Sequence, residues 1–371
     1  MKITVATPVL SIAGVPLAQI RFARALARRG HDVTLLVGWI DPAFAMPEIG
    51  GVVVSELRRR KVRSMWFPLC AHLRRERPDV VFSAEDHLNC LVLLAATATG
   101  SRAKISCSSR VTPHDTYSDN PFDKRWVLKR LMKLAMRRAN ALTCVSRDMV
   151  AQYREVLGSN RHVCAYNIVD DGDSRLRMRE PVDDAWIGDA GRPLLVAAGR
   201  LAPWKGFSDL IDAMALGPAR QGARLLILGD GPLRGELQAR IERLGLQDSV
   251  RLAGYVENPL KYFARARVFA LSSLVEGMPN VLVEAMMCGC TPVATDCPTG
   301  PSELLGDGRV GFLVPMREPE ALACAIVEAL RTPADRDALA RAIAPFGERA
   351  VVDRHFALLG LRDRSMAEEA G

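Results

Sequence analysis

The 371-residue sequence has no apolar run near the roughly 20 residues that a membrane-crossing helix needs, so no span is expected. Its opening, MKITVATPVLSIAGVP, runs at once into a strand-like apolar pattern. It lacks the small-residue ending of a secretion signal, so the chain is expected in the cytoplasm. The dinucleotide fingerprint G-x-G-x-x-G is missing, which leaves a nicotinamide or flavin cofactor unsupported, and no cofactor is expected. The nine cysteines are odd in number and irregularly spaced, which argues against a disulfide framework. Cys288, Cys290 and Cys297 lie close together, but no histidine is near and no pair has zinc-knuckle spacing. No serine, histidine and aspartate constellation is present, nor a carboxylate pair placed like a glycosidase's acid and nucleophile. No DNA- or RNA-binding module is recognisable either, so nucleic acid is not an expected partner.

What is present is the composition of a globular protein, 49% hydrophobic and 25% charged, with length enough for two domains. The net charge of +8 is unevenly divided: residues 1–170 carry +12 and the remainder −4. A basic half points to an anionic partner. Two stretches concentrate it. RRRKVRSMWFPLCAHLRRER begins at Arg58, and FDKRWVLKRLMKLAMRR runs from Phe122 to Arg138. A basic amphipathic helix with aromatics suits an anionic membrane surface. The same pattern also suits a helix whose apolar stripe faces the core while its cations are solvated.

Near-continuous apolar runs alternate with helical patterns along the whole chain, which predicts parallel sheets with both faces covered. The order strand, glycine loop, helix, strand over residues 1–37 opens a Rossmann-type unit, with Gly14 where the first loop feeds the helix. Helices are expected near 64–77, 87–99, 122–138, 147–157 and, at the end, 347–366. YNIVDDGDSRLRMREPVDD breaks the alternation and reads as a linker.

EGMPNVLVEAMMCG, residues 276–289, reads as a loop turning into a helix. Pro279 suits the first helical position and Gly289 the stop. The unpaired N–H groups of a first turn, at the positive end of the helix dipole, suit an anion. Glu276 and Glu284 repel phosphate but accept hydrogen bonds from hydroxyls. A nucleotide-sugar, with phosphate between hydroxyl-rich ends, meets both requirements. Isolated, the two glutamates also read as plain loop and helix-surface charges.

Five segments, GRLAPWKGFSDLIDAM (199–214), LLILGDGPLRGEL (225–237), VRLAGYVENP (250–259), EGMPNVLVEAMMCGCTPVATDCPTGPSELL (276–305) and VGFLVP (310–315), resemble in order and spacing the family 4 glycosyltransferases. The resemblance is strong over about 190–330 and weaker before. It implies an α/β fold with two Rossmann-like domains facing each other across a cleft, the GT-B fold. Residues 1–170 would bind acceptor, 171–190 would link, 191–346 would bind nucleotide-sugar, and 347–371 would return as a helix to the first domain. It further implies transfer, with retention and without a metal, of a hexose or N-acetylhexosamine from a nucleotide diphosphate, most readily UDP. The acceptor would be a saccharide or lipid-linked molecule of bacterial surface polysaccharide assembly, handled at the inner face of the membrane.

By the same resemblance, Arg200 and Lys205 contact the diphosphate, Glu284 holds the ribose and Glu276 lies beside the donor sugar. The backbone of Gly277, Met278, Pro279, Asn280 and Val281 holds sugar and phosphate, while Tyr255 and Val256, after Gly254, face the base. His114 matches a histidine near the donor sugar, and Arg110 is a weaker match for an anionic acceptor. The family often has two glycines in its first loop; this chain has Ala13–Gly14 and then Val15. Asp171-Gly172-Asp173 is literally an Asp-x-Asp motif, a metal-binding pair in the other large glycosyltransferase architecture. A nucleotide-sugar epimerase of the same fold, and a scaffold that has lost catalysis, are the rival readings.

Overall fold

The computed structural model describes residues 1–11, 14–44, 46, 48–187 and 191–361. Ala13 and the final stretch of the expected C-terminal helix lie outside the described residues. The chain divides into two compact α/β units, Met1–Asp171 with Phe346–Gly371, and Gly172–Pro345.

The first unit holds strands β1 (Lys2–Leu10), β2 (Asp32–Ile40), β3 (Val52–Glu56), β4 (Val80–Ala84), β5 (Lys104–Ser109), β6 (Ala141–Cys144) and β7 (His162–Cys164). Its helices are α1 (Gly14–Arg28), α2 (Trp66–Glu76), α3 (Asp86–Thr99), α4 (Pro113–Thr116), α5 (Lys124–Ala135) and α6 (Arg147–Leu157). The strands pair in parallel in the order β3-β2-β1-β4-β5-β6-β7. Valine, isoleucine and leucine dominate these strands because parallel strands are buried on both faces. Ile3, Val5, Val33, Leu35, Val80 and Phe82 form one core with Ile20, Phe22 and Leu26 of α1.

The second unit holds β8 (Leu194–Ala198), β9 (Arg224–Leu228), β10 (Val250–Gly254), β11 (Val268–Leu271), β12 (Thr291–Thr295) and β13 (Phe312–Val314). These pair in the order β10-β9-β8-β11-β12-β13, also parallel. Its helices are α7 (Ser174–Arg179), α8 (Phe207–Leu216), α9 (Arg234–Arg243), α10 (Leu260–Phe263), α11 (Asn280–Met287), α12 (Pro301–Leu305), α13 (Pro319–Arg331) and α14 (Arg336–Ile343). The stretch 171–190, expected to link, instead carries α7. The second unit holds it: Asn258 Nδ2 donates to Arg177 O at 2.8 Å, and Arg265 Nη2 to Glu180 O at 2.9 Å.

The last helix, α15 (Glu348–Leu358), belongs to the first unit. Val351, Val352, Phe356 and Leu359 complete the core under α1. Arg28 at the end of α1 and Arg29 just after it pair with Glu348 and Asp353 at 3.2 and 2.6 Å, and Lys104 Nζ donates to Leu359 O at 2.7 Å. The helix is shorter than the sequence pattern predicts, because Gly360 turns left-handed at φ 59°.

Two histidines lie deep in this unit. Burial pushes His355 down to about 3, helped by Arg110 and Arg354, and pushes His162 down to about 4. Both are neutral at pH 7, whereas the unfolded chain takes up protons near pH 6.5. Their contribution is therefore intact above pH 6.5 and is lost as pH falls toward 4. Stability against denaturant is expected to fall as pH is lowered through that window. His355→Gln should remove up to about 1.4 kcal/mol per pH unit of the slope; an unchanged slope would place the acid sensitivity elsewhere.

Candidate active site

The second sheet changes direction at its centre. From β8 the chain winds outward through β9 and β10, then returns to β11 on the other side of β8 and continues to β12 and β13. Helices on the two sides diverge there, and the carboxyl ends of β8 and β11 border the uncovered gap. Arg200 and Lys205 follow β8, while Glu276 and Glu284 follow β11. Four residues far apart in sequence thus belong to loops and helices at one switch point.

Lys205 and Glu276 meet directly. Lys205 Nζ donates to Glu276 Oε1 at 2.5 Å, and Ser273 Oγ donates to the same oxygen at 2.6 Å. Both bonds fall on Oε1, which leaves Oε2 with no partner among the described residues. The ammonium has two further protons to offer. A ligand with an anionic group for Lys205 and a hydroxyl for Glu276 would use both. Arg200 is exposed at the end of β8 and carries a second cation to the same edge.

The loop before α11 is fixed by a residue that sequence reading passed over. Thr299 Oγ1 lies 2.8 Å from the carbonyls of both Glu276 and Gly277, Thr299 N donates to Glu276 O at 3.1 Å, and Glu276 N donates to Pro298 O at 2.8 Å. Met278 and Pro279 are buried, which pins the turn from inside. Pro279 sits at the N-cap and not at the first helical position; its ψ of 86° is not helical, so α11 starts at Asn280. The first backbone bond of the helix is donated by Leu282 to Pro279 O at 2.9 Å. The N–H of Val281 lies ahead of it, where an anion is favoured. Glu284, one turn further, is 6% exposed. Gly289, at φ 86°, follows the helix end.

The turn Gly229-Asp230-Gly231-Pro232 positions the Arg200 loop from behind. Leu201 N donates to Asp230 O at 3.0 Å and Leu233 N to Leu201 O at 3.0 Å. Gly229 has φ 139°, and a Cβ there would lie 2.0 Å from Gly199 O; a Cβ on Gly231 would lie 2.5 Å from Leu201 O. Only glycine permits this approach. Gly229 N also donates to Gly254 O at 2.7 Å, which ties the turn to the loop bearing exposed Tyr255 and half-buried Val256.

The first-unit candidates occupy separate elements. Gly14 is the first residue of α1, and a Cβ there would meet nothing within 4 Å, so packing does not demand glycine. His114 is exposed on α4. Arg110 follows β5 and donates to Gln19 Oε1 at 3.0 Å; burial lowers it to about 10, opposed by Glu85. Glu85, at the end of β4, was not singled out from sequence. It adopts φ 74° and its acidity is weakened by burial. Asp86 beside it accepts from Ser109 Oγ at 2.6 Å and Tyr153 Oη at 2.5 Å. β4 and β1 border the switch point of the first sheet, the only cue sequence reading could have used. Asp171 is buried and lies 3.8 Å from Arg21, whereas Asp173 precedes α7. Among the described residues no group of three or more histidine, cysteine or carboxylate side chains is placed to hold a metal ion.

Comparison with known proteins places the chain in a family. The family described as Glycosyltransferase Family 4 matches residues 14–172, and Glycosyl transferases group 1 matches 192–332. The chain belongs to the family 4 glycosyltransferases. A Campylobacter jejuni N-acetylgalactosamine-N,N'-diacetylbacillosaminyl-diphospho-undecaprenol 4-alpha-N-acetylgalactosaminyltransferase is 30% identical over 68% of this chain and 66% of its own. A lipopolysaccharide core biosynthesis glycosyltransferase of Rhizobium meliloti, LpsE, is 33% identical over 46% of this chain and 50% of its own. The chain therefore spans about two thirds of the one and half of the other. The crystal structure of Anabaena HepE in complex with UDP and glucose superposes with TM-score 0.72 at 23% identity, covering 97% of this chain and 99% of that one. The shared fold is GT-B.

Gly231→Ala should push the 199–201 backbone and lower transferase activity by about ten- to a hundredfold, as small misplacements of binding groups do. Gly235→Ala, on α9 with nothing within 4 Å, should leave activity unchanged. Equal activity of Gly231→Ala and the parent in a donor-turnover assay would show that the turn does not set Arg200.

Proposed function

We propose that the chain is a retaining, metal-independent glycosyltransferase. It moves a hexose or N-acetylhexosamine from a UDP-sugar to a saccharide or lipid-linked acceptor in surface polysaccharide assembly. The observation that carries this reading is the Lys205–Glu276 pair at the switch point of the second sheet, with Glu284 on the helix that starts beside it. In this reading the second unit binds the nucleotide-sugar and the first binds acceptor.

Each residue then has a task. Lys205 and Arg200 oppose the charge that builds on the leaving diphosphate as the anomeric carbon–oxygen bond breaks. The first turn of α11 adds backbone N–H groups to the same anion. Glu284 accepts from the ribose hydroxyls, and Tyr255 and Val256 lie along the base. Glu276 Oε2 accepts from a sugar hydroxyl, and its charge balances positive character at the ring. The acceptor oxygen forms the new bond to the anomeric carbon on the face the diphosphate leaves, and its proton passes to a diphosphate oxygen. His114 stands beside the donor sugar, and Arg110 meets an anionic acceptor group. Support for UDP comes from HepE, and for a lipid-linked acceptor from the undecaprenol-linked substrate of the Campylobacter relative. The basic first half adds an anionic membrane surface as partner.

Calorimetry with UDP, ADP and GDP in EDTA tests the reading. UDP should bind, and Glu284→Gln should weaken it by roughly 1–3 kcal/mol, the cost of losing a charged acceptor for the ribose. Binding only after magnesium or manganese is added would overturn metal independence. No binding by any of the three would overturn the nucleotide-sugar assignment. Conversion of UDP-N-acetylglucosamine without acceptor would favour the epimerase.

A further inference from the structure

Helix α5 carries apolar side chains on its outward face as well as its inward one. Its inward positions are Lys129, Met132 and Ala135. Its outward positions include Val127, Leu131 and Leu134, which are 47%, 42% and 62% exposed, and Phe122 just before it is 98% exposed. Spacings of four and three put the three aliphatic residues on one ridge. Burying Lys129 requires a partner, and Asp119 supplies it at 2.5 Å. The helix thus buries a charge and shows an apolar ridge to solvent.

Cations border that ridge. Lys124, Arg130 and Arg137 are exposed, and Arg130 stacks on Trp126, with the guanidinium carbon 5.0 Å from the ring centroid. Arg125 is matched by Asp123 at 2.8 Å. Lys124, Arg130, Lys133 and Arg137 form no ion pair with any described residue. Exposed Arg58, Arg59, Arg60, Lys61 and Arg63, with Phe67 at 81% exposure, precede or open α2. α2 and α5 both pack on α3, and both start from the carboxyl edge of the same parallel sheet. Apolar ridge and cations therefore share one face of the first unit.

We infer that this face docks on an anionic lipid leaflet. Phe122, Val127, Leu131 and Leu134 enter the boundary between headgroups and acyl chains. Lys124, Arg130 and Arg137 extend along the ridge to lipid phosphates. A second copy of the chain is a poor occupant, since a twofold contact would set these unpaired cations against each other. The inference sharpens the membrane partner proposed above by naming its contact face.

The test is co-sedimentation of the full chain with phosphatidylcholine vesicles, with and without phosphatidylglycerol. The parent should sediment with anionic vesicles alone. Lys124→Gln with Arg130→Gln should weaken binding about thirtyfold, the change expected for two cations near a charged surface. Leu131→Gln with Leu134→Gln should abolish it, while Leu176→Ser, an exposed leucine of the second unit, should not. UDP affinity should be equal in all variants, which separates this face from the nucleotide site. Parent protein that ignores lipid charge would overturn the membrane partner altogether. Parent binding that both α5 variants retain would overturn this face alone. A parent dimer that Leu134→Gln dissociates would assign the ridge to a protein contact and overturn the lipid.

Discussion

A parallel sheet that reverses its winding direction leaves a gap that neither neighbouring helix covers. In the second unit the gap lies between β8 and β11, and the polar groups of the candidate site border it. The Lys205–Glu276 contact exists because β8 and β11 are neighbours in space while 71 residues separate the two side chains in the chain. In the proposed reading this ammonium and carboxylate serve a ligand that carries an anion and a hydroxyl together.

The rim is kept in shape by backbone, not by large side chains. The Gly229–Pro232 turn presses on residues 199–201, and Thr299 takes the carbonyls of Glu276 and Gly277. Buried carbonyls and N–H groups without partners cost free energy, so these short contacts set loop geometry at little expense of space. The same logic applies to Thr295 at the end of β12, whose hydroxyl lies 3.3 Å from Leu271 O and 2.5 Å from Ser273 O.

The two units have different work written in their charge. The second is slightly acidic, and two of its cations, Arg200 and Lys205, stand at the switch point. The first is strongly basic and displays much of that charge on α2, α5 and the segments before them. Its C-terminal completion by α15 buries His355 among Phe22, Phe82 and Arg110, so this unit contains an imidazole that resists protonation. The buried imidazole adds a stabilising term that is lost as pH falls.

Sequence alone determined the alternation of strands and helices, because apolar runs of strand length and 3.6-residue periodicity are local properties of the chain. It also singled out Arg200, Lys205, Glu276 and Glu284 as candidates, because their motifs lie within short segments. The tertiary structure decided what depends on neighbours distant in sequence: that Lys205 and Glu276 touch, that Thr299 and Ser273 fix the loop, that Pro279 caps α11, and that residues 174–179 form a helix on the second unit. It decided as well which side of α5 faces water. Val127, Leu131 and Leu134 make the same stripe whichever way the helix is rolled. Only the pairing of buried Lys129 with Asp119, together with the packing of Met132 and Ala135, turns that stripe outward.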